Sequence, residues 1–248
     1  MEHTAATVDK AIDVLFHLHE RAEPQGVSEL GRALEIPKSS AHRLLVSLRR
    51  RGLVERDERG RYRPGIGLLA LGLGVLEREP LVAAARTVLE SAAEELGETF
   101  FVVAARGGKL TVLDKVEGTG FVRAAPRVGS SIPVQVTAVG KLYLALAPDA
   151  LSESERKRDR EAVRAVPAAQ LERELAAVRK RGYAENLGEW IEGMFVVAAP
   201  VFVHGRLFGA VATALPMTRA ERVDRKAIGQ RVVGAAARVG ARLEGRQA

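Results

Sequence analysis

Cysteine is absent from this chain of 248 residues. Its absence excludes disulfide bonds, thiolate nucleophiles and zinc sites with cysteine ligands. The nearest candidate for a membrane span, residues 66–76, is far shorter than the roughly 20 residues that such a helix needs. Residues 1–4 also lack the basic and apolar pattern of a signal peptide. We therefore expect no membrane association and a location in the cytoplasm.

Histidine is scarce as well. The chain has five histidines, of which His3, His17, His19 and His42 lie near its start and His204 lies in a predicted hairpin turn. A serine or threonine nucleophile needs a base such as histidine, yet no Ser-His-carboxylate arrangement and no metal-ligand spacing is visible. The sequence therefore predicts neither a catalytic site nor a metal or other cofactor.

Positive charge is in excess. The formal net charge is +7, which favours polyanionic partners. Residues 38–63 hold nine Lys and Arg against three Asp and Glu, a net charge of +6 over this segment. Binding to nucleic-acid phosphates requires such a local patch. A second basic run covers residues 219–246, so charge supports a nucleic-acid partner without establishing one.

Residues 37–52 have the pattern of a helix with two different faces. Four apolar side chains at helical spacing form one stripe: Ala41, Leu44, Leu45 and Leu48. Pro37 suits the start of this helix and Gly52 its end. The other face carries side chains that reach base edges and phosphates when a helix enters a major groove: Ser39, Ser40, Arg43, Ser47 and Arg50. Taken alone, the stretch fits a recognition helix and a solvated helix with a basic end equally well.

The elements around this helix favour the recognition helix. In order, they are a helix over residues 8–20, a helix over 29–34 with Ser28 as its N-cap, a tight turn over 35–37, and hairpin strands over 53–56 and 61–64. Two helices joined by so short a turn form a helix-turn-helix, and a basic hairpin beside it forms a wing. This order of elements predicts DNA binding.

Residues 65–76 predict a helix that is apolar on nearly every side. A helix of this kind must be buried. Because it directly follows a small domain, we expect it to pack against a second copy of itself in a dimer. A longer amphipathic helix then begins at Pro80 and runs to Leu96.

From Thr99 onwards the pattern is typical of an α+β domain. Predicted strands cover residues 99–105, 110–116, 121–124, a short piece from 183, 194–203 and 207–215. Predicted helices cover residues 138–145 (capped by Thr137), 168–181 and 219–243, with a weakly specified charged segment at 148–166. Such an order predicts an antiparallel sheet with helices packed on it.

Five short motifs are spread over almost the whole chain. They are Ile36-Pro37-Lys38-Ser39-Ser40-Ala41-His42-Arg43-Leu44-Leu45, Gly60-Arg61-Tyr62-Arg63-Pro64-Gly65, Thr137-Ala138-Val139-Gly140-Lys141, Gly182-Tyr183-Ala184 and Ala198-Ala199-Pro200-Val201. In this order and spacing, the chain resembles the IclR family of bacterial transcription regulators.

The resemblance implies an architecture and a set of partners. The expected parts are a winged helix-turn-helix domain (residues 1–65), a linker helix used in dimerisation (66–79) and a GAF-like effector-binding domain (80–248). The resemblance also implies a homodimer or homotetramer on a palindromic operator in double-stranded DNA, with a small molecule as effector.

The family's DNA contacts can be carried over to matching positions. Ser39, Ser40 and Arg43 are expected nearest the bases, whereas Lys38 and Arg61 are expected at the phosphate backbone. The full expected set is Lys38, Ser39, Ser40, His42, Arg43, Ser47 and Arg61.

The resemblance also places the effector against the turn that begins the helix after Thr137. There the amides of the first helical turn could hold a carboxylate, although Gly140 could instead be a glycine required only for close packing. The expected effector contacts are Phe121, Ser130, Ala138, Val139, Gly140, Asn186, Glu189, Met194, Val196, Ala212 and Ala214.

This sequence departs from the family's pattern where the pocket would be polar. Members that bind small acids tend to carry a cysteine, an acidic residue and a Ser-x-Ser pair at positions that are here Val196, Asn186, and Ala212 with Ala214. An apolar pocket with few polar anchors favours a larger ligand. The hypothesis that follows is an aromatic or otherwise bulky organic acid.

Two other functions stay open at this point. One is an enzyme, in which a GAF-like domain carries catalysis beside a DNA-binding module. The other is a binding module whose winged helix contacts protein instead of DNA. Salt dependence distinguishes a winged helix that binds DNA from one that binds protein, because DNA binding through phosphates weakens steeply as salt is added.

Overall fold

The computed structural model describes residues 5–76, 78–120, 126–162 and 166–245. The chain divides into two compact units, residues 1–78 and 79–248. Each unit has its own apolar core. Within the described ranges, no helix has both the length and the apolar character needed to cross a membrane.

The first unit has the predicted order of elements. They are α1 (Ala6–Glu20), α2 (Val27–Ala33), α3 (Lys38–Arg50), β1 (Val54–Arg56), β2 (Tyr62–Pro64) and α4 (Ile66–Leu76). The prediction of Ser28 as a cap is wrong, because α2 begins at Val27, two residues before the predicted start, and Gly26 is its N-cap. The carboxylate of Glu29 accepts a hydrogen bond from the Gly26 amide at 2.7 Å, so a side chain three residues into the helix satisfies the capping residue.

Three helices and the wing enclose the core of the first unit. Leu18 of α1, Leu30 of α2 and Leu45 of α3 are buried together with Tyr62 of β2. The predicted apolar stripe of α3 therefore faces this core. The wing is joined to the chain before α2 by a pair of backbone hydrogen bonds between Gln25 and Tyr62, each 2.8 Å long.

The start of α4 is hydrogen-bonded to the wing. The Gly67 amide donates to the Gly52 carbonyl at 2.9 Å, and the Ile66 amide donates to the carboxylate of Glu55 at 3.2 Å. After this start, α4 has no buried residue within its own unit. Its position is therefore fixed at one end, while its apolar surface is left uncovered in the single chain.

The second unit is built on a five-stranded antiparallel sheet. Its strands are β3 (Thr99–Arg106), β4 (Lys109–Val116), β5 (Ala184–Leu187), β6 (Met194–Val203) and β7 (Arg206–Pro216). They lie in the order β4-β3-β7-β6-β5, and each neighbouring pair is antiparallel. The strand predicted at 121–124 lies outside the described residues.

The described part of the second unit has six α-helices and a short 3-10 helix, Pro148–Ala150. The α-helices are α5 (Pro80–Leu96), α6 (Ala138–Leu146), α7 (Glu153–Ala162), α8 (Ala168–Arg181), α9 (Met217–Ala220) and α10 (Arg225–Gly245). The prediction of one helix over 219–243 is wrong, since the chain leaves helical conformation before Asp224. The carboxylate of Asp224 accepts from the Lys226 amide at 2.9 Å, which is how a capping aspartate starts a new helix.

Alternation along the strands assigns their side chains to two layers. Phe100 and Val102 of β3 face the layer of α5 and α10, whereas Phe101 and Val103 face the layer of α6 and α8. Both faces of the sheet are thus covered, which explains why its strands are almost continuously apolar.

Candidate functional sites

The outward face of α3 carries polar side chains that are exposed and unengaged. Ser39, His42, Arg43 and Ser47 are exposed, and none of them has a side-chain hydrogen bond or ion pair within the part of the chain that the structure describes. Lys38 is likewise exposed in the first turn, and Ser40 is half-buried. Six of the predicted DNA contacts therefore lie on one helix, and most are free for an external partner.

Arg61, the predicted wing contact, has a different environment. Its guanidinium lies 3.8 Å from the carboxylate of Glu29 on α2 and is only partly exposed. Its Nε atom is buried without a hydrogen-bond partner among the described residues. Arg61 therefore links the wing to α2, and the side chain is less available to DNA than the sequence suggested.

Two residues of the first unit were missed as candidate contacts. Arg59 lies in the wing's turn, is exposed, and makes no side-chain contact within the described residues. Val46 is 42% exposed on α3, among the polar residues of its outward face. Two sequence signals could have identified them. Arg59 lies in a predicted turn, and Val46 interrupts a polar helix face.

A cleft in the second unit lies between the sheet and the start of α6. It is open to solvent, and the space of about 480 Å³ free of protein atoms at this place includes part of that solvent. Its described lining comes from the sheet, the first turn of α6, the loop before α6 and the chain between β5 and β6: Phe101, Pro126, Ile132, Thr137, Ala138, Val139, Asn186, Trp190, Ile191, Met194, Val196 and Ala214.

Strand register brings three of the predicted effector contacts together. Asn186 pairs with Val196 across β5 and β6, and Val196 pairs with Ala214 across β6 and β7. The three residues form a row across the floor of the cleft. Two of them are apolar at positions where small-acid-binding relatives were expected to be polar, so the floor offers little to a small carboxylate.

Asn186 and the start of α6 supply the cleft's polar groups. The side-chain amide of Asn186 donates a hydrogen bond to the carbonyl of Val136, while its side-chain oxygen has no donor among the described residues. The backbone amides of Ala138 and Val139 also lack an acceptor there. A helix N-terminus with free amides attracts an anion, so one end of an otherwise apolar cleft is suited to a carboxylate.

Thr137 and Gly140 hold the first turn of α6 in place. The Thr137 hydroxyl accepts from the Gly140 amide at 3.0 Å and donates to the Pro133 carbonyl at 2.6 Å, which confirms Thr137 as the helix cap. A Cβ at position 140 would lie 1.7 Å from the Val134 carbonyl oxygen. Gly140 is therefore required by close packing, its amide is already engaged, and it is not among the described residues that line the cleft.

The remaining predicted effector contacts divide into three groups. Ala138, Val139, Asn186, Met194, Val196 and Ala214 line the cleft. Ser130 and Ala212 do not: the Ser130 hydroxyl donates to the Arg127 carbonyl at 2.6 Å, and Ala212 is fully buried in the layer beneath α6. Phe121 lies outside the described residues.

Glu189, also predicted to contact the effector, forms an ion pair in a cluster around a buried lysine. The ammonium of Lys141 is 1% exposed and forms ion pairs with Glu189 and with Glu174, the latter at 2.6 Å. Burial disfavours the charged form of Glu174, but the Lys141 ammonium and the Gln170 amide outweigh it and lower the pKa of this carboxyl. The carboxyl of Glu174 therefore stays charged at neutral pH.

Several lining residues were not predicted individually. Phe101 and Ile132 come from a strand and a loop that the sequence identified only as structural. Trp190 and Ile191 lie in the segment between Asn186 and Met194, and Trp190 is the only tryptophan of the chain. A single large aromatic residue in a charged segment was the signal that could have identified it.

Comparison with known proteins assigns both units to one family. Residues 7–58 match the model of the IclR helix-turn-helix domain. Residues 73–241 match that of the C-terminal part of the bacterial transcriptional regulator IclR. The chain belongs to the IclR family. IclR-type proteins are transcriptional regulators, so the chain is a ligand-responsive regulator with a DNA-binding helix-turn-helix.

Relatives and solved structures agree with this assignment. The chain is 32% identical over 223 residues to a protein named as the probable transcriptional regulator SauR of Cupriavidus necator, with 88% of each chain covered. The crystal structure of IclR from Thermotoga maritima has a TM-score of 0.75 at 26% identity, covering 97% of this chain and 100% of the other. An IclR homologue from Microbacterium hydrocarbonoxydans, complexed with 4-hydroxybenzoate, has a TM-score of 0.81 at 21% identity, with 96% and 99% covered.

The packing of Gly140 gives a stability prediction. We expect Gly140→Ala to lower the free energy of unfolding by about 3 kcal/mol, because the added methyl group would overlap the Val134 carbonyl and force the backbone apart. Gly234→Ala is the matched control, since a Cβ in the middle of α10 meets only the end of the Arg238 side chain at 3.9 Å.

Denaturant unfolding of the second unit, followed by circular dichroism, measures both variants. Gly234→Ala should be neutral or stabilising by up to about 1 kcal/mol, because alanine favours helix over glycine. Equal stability of Gly140→Ala and the unchanged protein would show that α6 can move away from Val134.

Proposed function

We propose that this protein binds a palindromic operator as a homodimer, or as a pair of homodimers, in the cytoplasm. Its effector is an aromatic or similarly bulky organic acid bound in the cleft at the start of α6. The observation that carries the proposed effector class is the composition of the cleft, which has a largely apolar floor and free helix amides at one end. A planar apolar body and a carboxylate are the chemistry that matches these two features.

Base reading is assigned to the free side chains of α3. Arg43 and the serines of the outward face have the donor geometry that specifies bases in a major groove, and His42 and Ser47 lie on the same face. Lys38 and Arg59 supply phosphate contacts, while Arg61, held by Glu29, positions the wing. This division follows from which cations already have a protein partner.

Dimerisation is assigned to α4. Ile66, Leu69, Leu73 and Leu76 recur at spacings of three, four and three residues and are 67%, 55%, 49% and 40% exposed. Apolar residues at that spacing form the contact seam between two paired helices. A single chain leaves this seam in water, and pairing with a second copy removes it from water without any other partner.

The DNA assignment predicts two distinguishable defects. With an operator selected from genomic DNA by the purified protein, Arg43→Ala should cost about 1–3 kcal/mol of binding and relax base preference at one position. Arg59→Ala should weaken binding to all sequences alike and reduce the salt dependence by about one charge.

Gel-shift titrations at several salt concentrations measure both effects. Lys180→Ala, which removes an exposed cation from α8, is the control and should leave binding unchanged. The base-reading role of Arg43 is refuted if its variant discriminates between operator and unrelated DNA as well as the unchanged protein does.

The dimer assignment predicts an effect that depends on the helix face. Leu69→Glu combined with Leu73→Glu should give a monomer, because two carboxylates would be buried in the seam without partners. Leu71→Glu, at a position 62% exposed on the opposite side of the same helix, should leave the dimer intact. Light scattering gives the mass of each variant, and a dimeric Leu69→Glu, Leu73→Glu double variant would exclude α4 as the pairing element.

The effector assignment predicts the order of affinities for simple acids. Benzoate and 4-hydroxybenzoate should bind at least about ten-fold more tightly than glyoxylate or pyruvate, because only the aromatic ring buries apolar area in the cleft. Ala214→Ser should weaken benzoate binding about ten-fold by placing a hydroxyl on the apolar floor. Ala227→Ser, on the exposed side of α10, should not.

Isothermal titration calorimetry with the full chain gives these affinities. Tight binding of glyoxylate or pyruvate together with no binding of the aromatic acids would overturn the proposed effector class and leave the DNA assignment untouched.

A further inference from the structure

The chain between β5 and β6, residues 188–193, forms a strap beside the cleft. Gly188 and Gly193 stand at its two ends with φ angles of 80° and 75°, a left-handed conformation that glycine adopts without strain. Between them lie Trp190 and Ile191, which contribute to the cleft wall. The strap therefore supplies a wall of the cleft without belonging to a helix or a strand.

One ion pair joins this strap to the helical layer. Glu189 of the strap contacts the ammonium of Lys141, a residue of α6 that is 1% exposed. The same ammonium contacts Glu174 of α8. Lys141 thus connects three elements: α6, whose first turn lines the cleft, α8, and the strap that forms the cleft's wall.

The energetics of the cluster differ for its two carboxylates. A buried ammonium cannot be left without a partner, because the loss of its last counter-charge costs several kcal/mol. Glu174 is held on a regular helix, and its other carboxylate oxygen accepts a hydrogen bond from the Gln170 amide at 2.9 Å. Release of Glu189 alone would therefore leave Lys141 paired, so the strap can separate from the cluster without exposing a bare buried charge.

We propose that Lys141 is a positioning residue for the cleft: through Glu189 it holds the strap in the arrangement that places Trp190 in the wall. The role of the cleft as an effector site rests on the function proposed above. The positioning itself concerns only the strap, α6 and α8, and Lys141 is not among the described residues that line the cleft. Trp190 is oriented by an ion pair at the residue before it, and the effector-facing surface is thereby tied to α8.

Trp190 provides a direct test because it is the only tryptophan. The emission of Trp190 and its quenching by acrylamide, a neutral quencher, report how far the indole ring is shielded from solvent. In the full chain without DNA or effector, Glu189→Ala should raise the quenching constant at least about two-fold and shift the emission to longer wavelength, as local opening exposes the ring. Glu192→Ala is the control, because Glu192 lies in the same strap, is exposed, and has no side-chain hydrogen bond or ion pair within the described residues.

A second variant separates positioning from general stability. Glu174→Ala leaves the pair of Lys141 with the strap in place, so it should lower the unfolding midpoint while leaving the quenching constant of Trp190 near that of the unchanged protein. The proposal is overturned if Glu189→Ala quenches like Glu192→Ala, or if Glu174→Ala raises the constant as much as Glu189→Ala. The quenching experiment contains no ligand, so a negative result there would not contradict the proposed effector class. Failure of aromatic acids to bind in calorimetry would likewise not contradict the role of Lys141 in positioning the strap.

Discussion

The close approach of α6 to the loop before it is the constraint on which the second unit's cleft depends. Gly140 lies against the Val134 carbonyl, and the Thr137 hydroxyl accepts a hydrogen bond from the Gly140 amide. These contacts hold the first turn of α6, in which the amides of Ala138 and Val139 have no hydrogen-bond acceptor among the described residues. The polar end of the cleft therefore lies on a helix turn whose position is fixed by close packing at Gly140 and by the Thr137 cap.

Much of the fold could be predicted because the apolar periodicity is strong. α5 and α8 have the bounds that their patterns and their Pro and Gly residues indicate, and β6 has the bounds of its apolar run. The errors arose where one polar side chain decided between alternatives. Asp224 starts a new helix where spacing alone suggested continuity, and Glu29 makes Gly26 a capping residue in place of Ser28. A side chain's partner across a turn is not visible in a periodic pattern.

The candidate sites were less predictable, because burial and pairing depend on tertiary contacts. Gly140 matched a family motif, yet its surroundings make it a packing residue. Glu189 and Arg61 were assigned to external ligands, but each has an internal partner of opposite charge, Lys141 and Glu29 respectively. Trp190 was missed since its segment has no regular pattern. In each case the residue type limits which interactions the side chain can make, while the fold decides whether its partner lies within the protein or is an external ligand.

The hydrogen bonds between α4 and the wing have a consequence for the geometry of the DNA target. Gly67 and Ile66 are bonded to Gly52 and Glu55 without an intervening flexible linker, so the wing cannot swivel independently of the helix that is proposed to pair. Two paired copies would then present their wings at one fixed separation. On the proposed pairing through α4, binding would depend on the spacer between half-sites as well as on the bases within them, and one extra base pair at the centre of the operator would weaken binding.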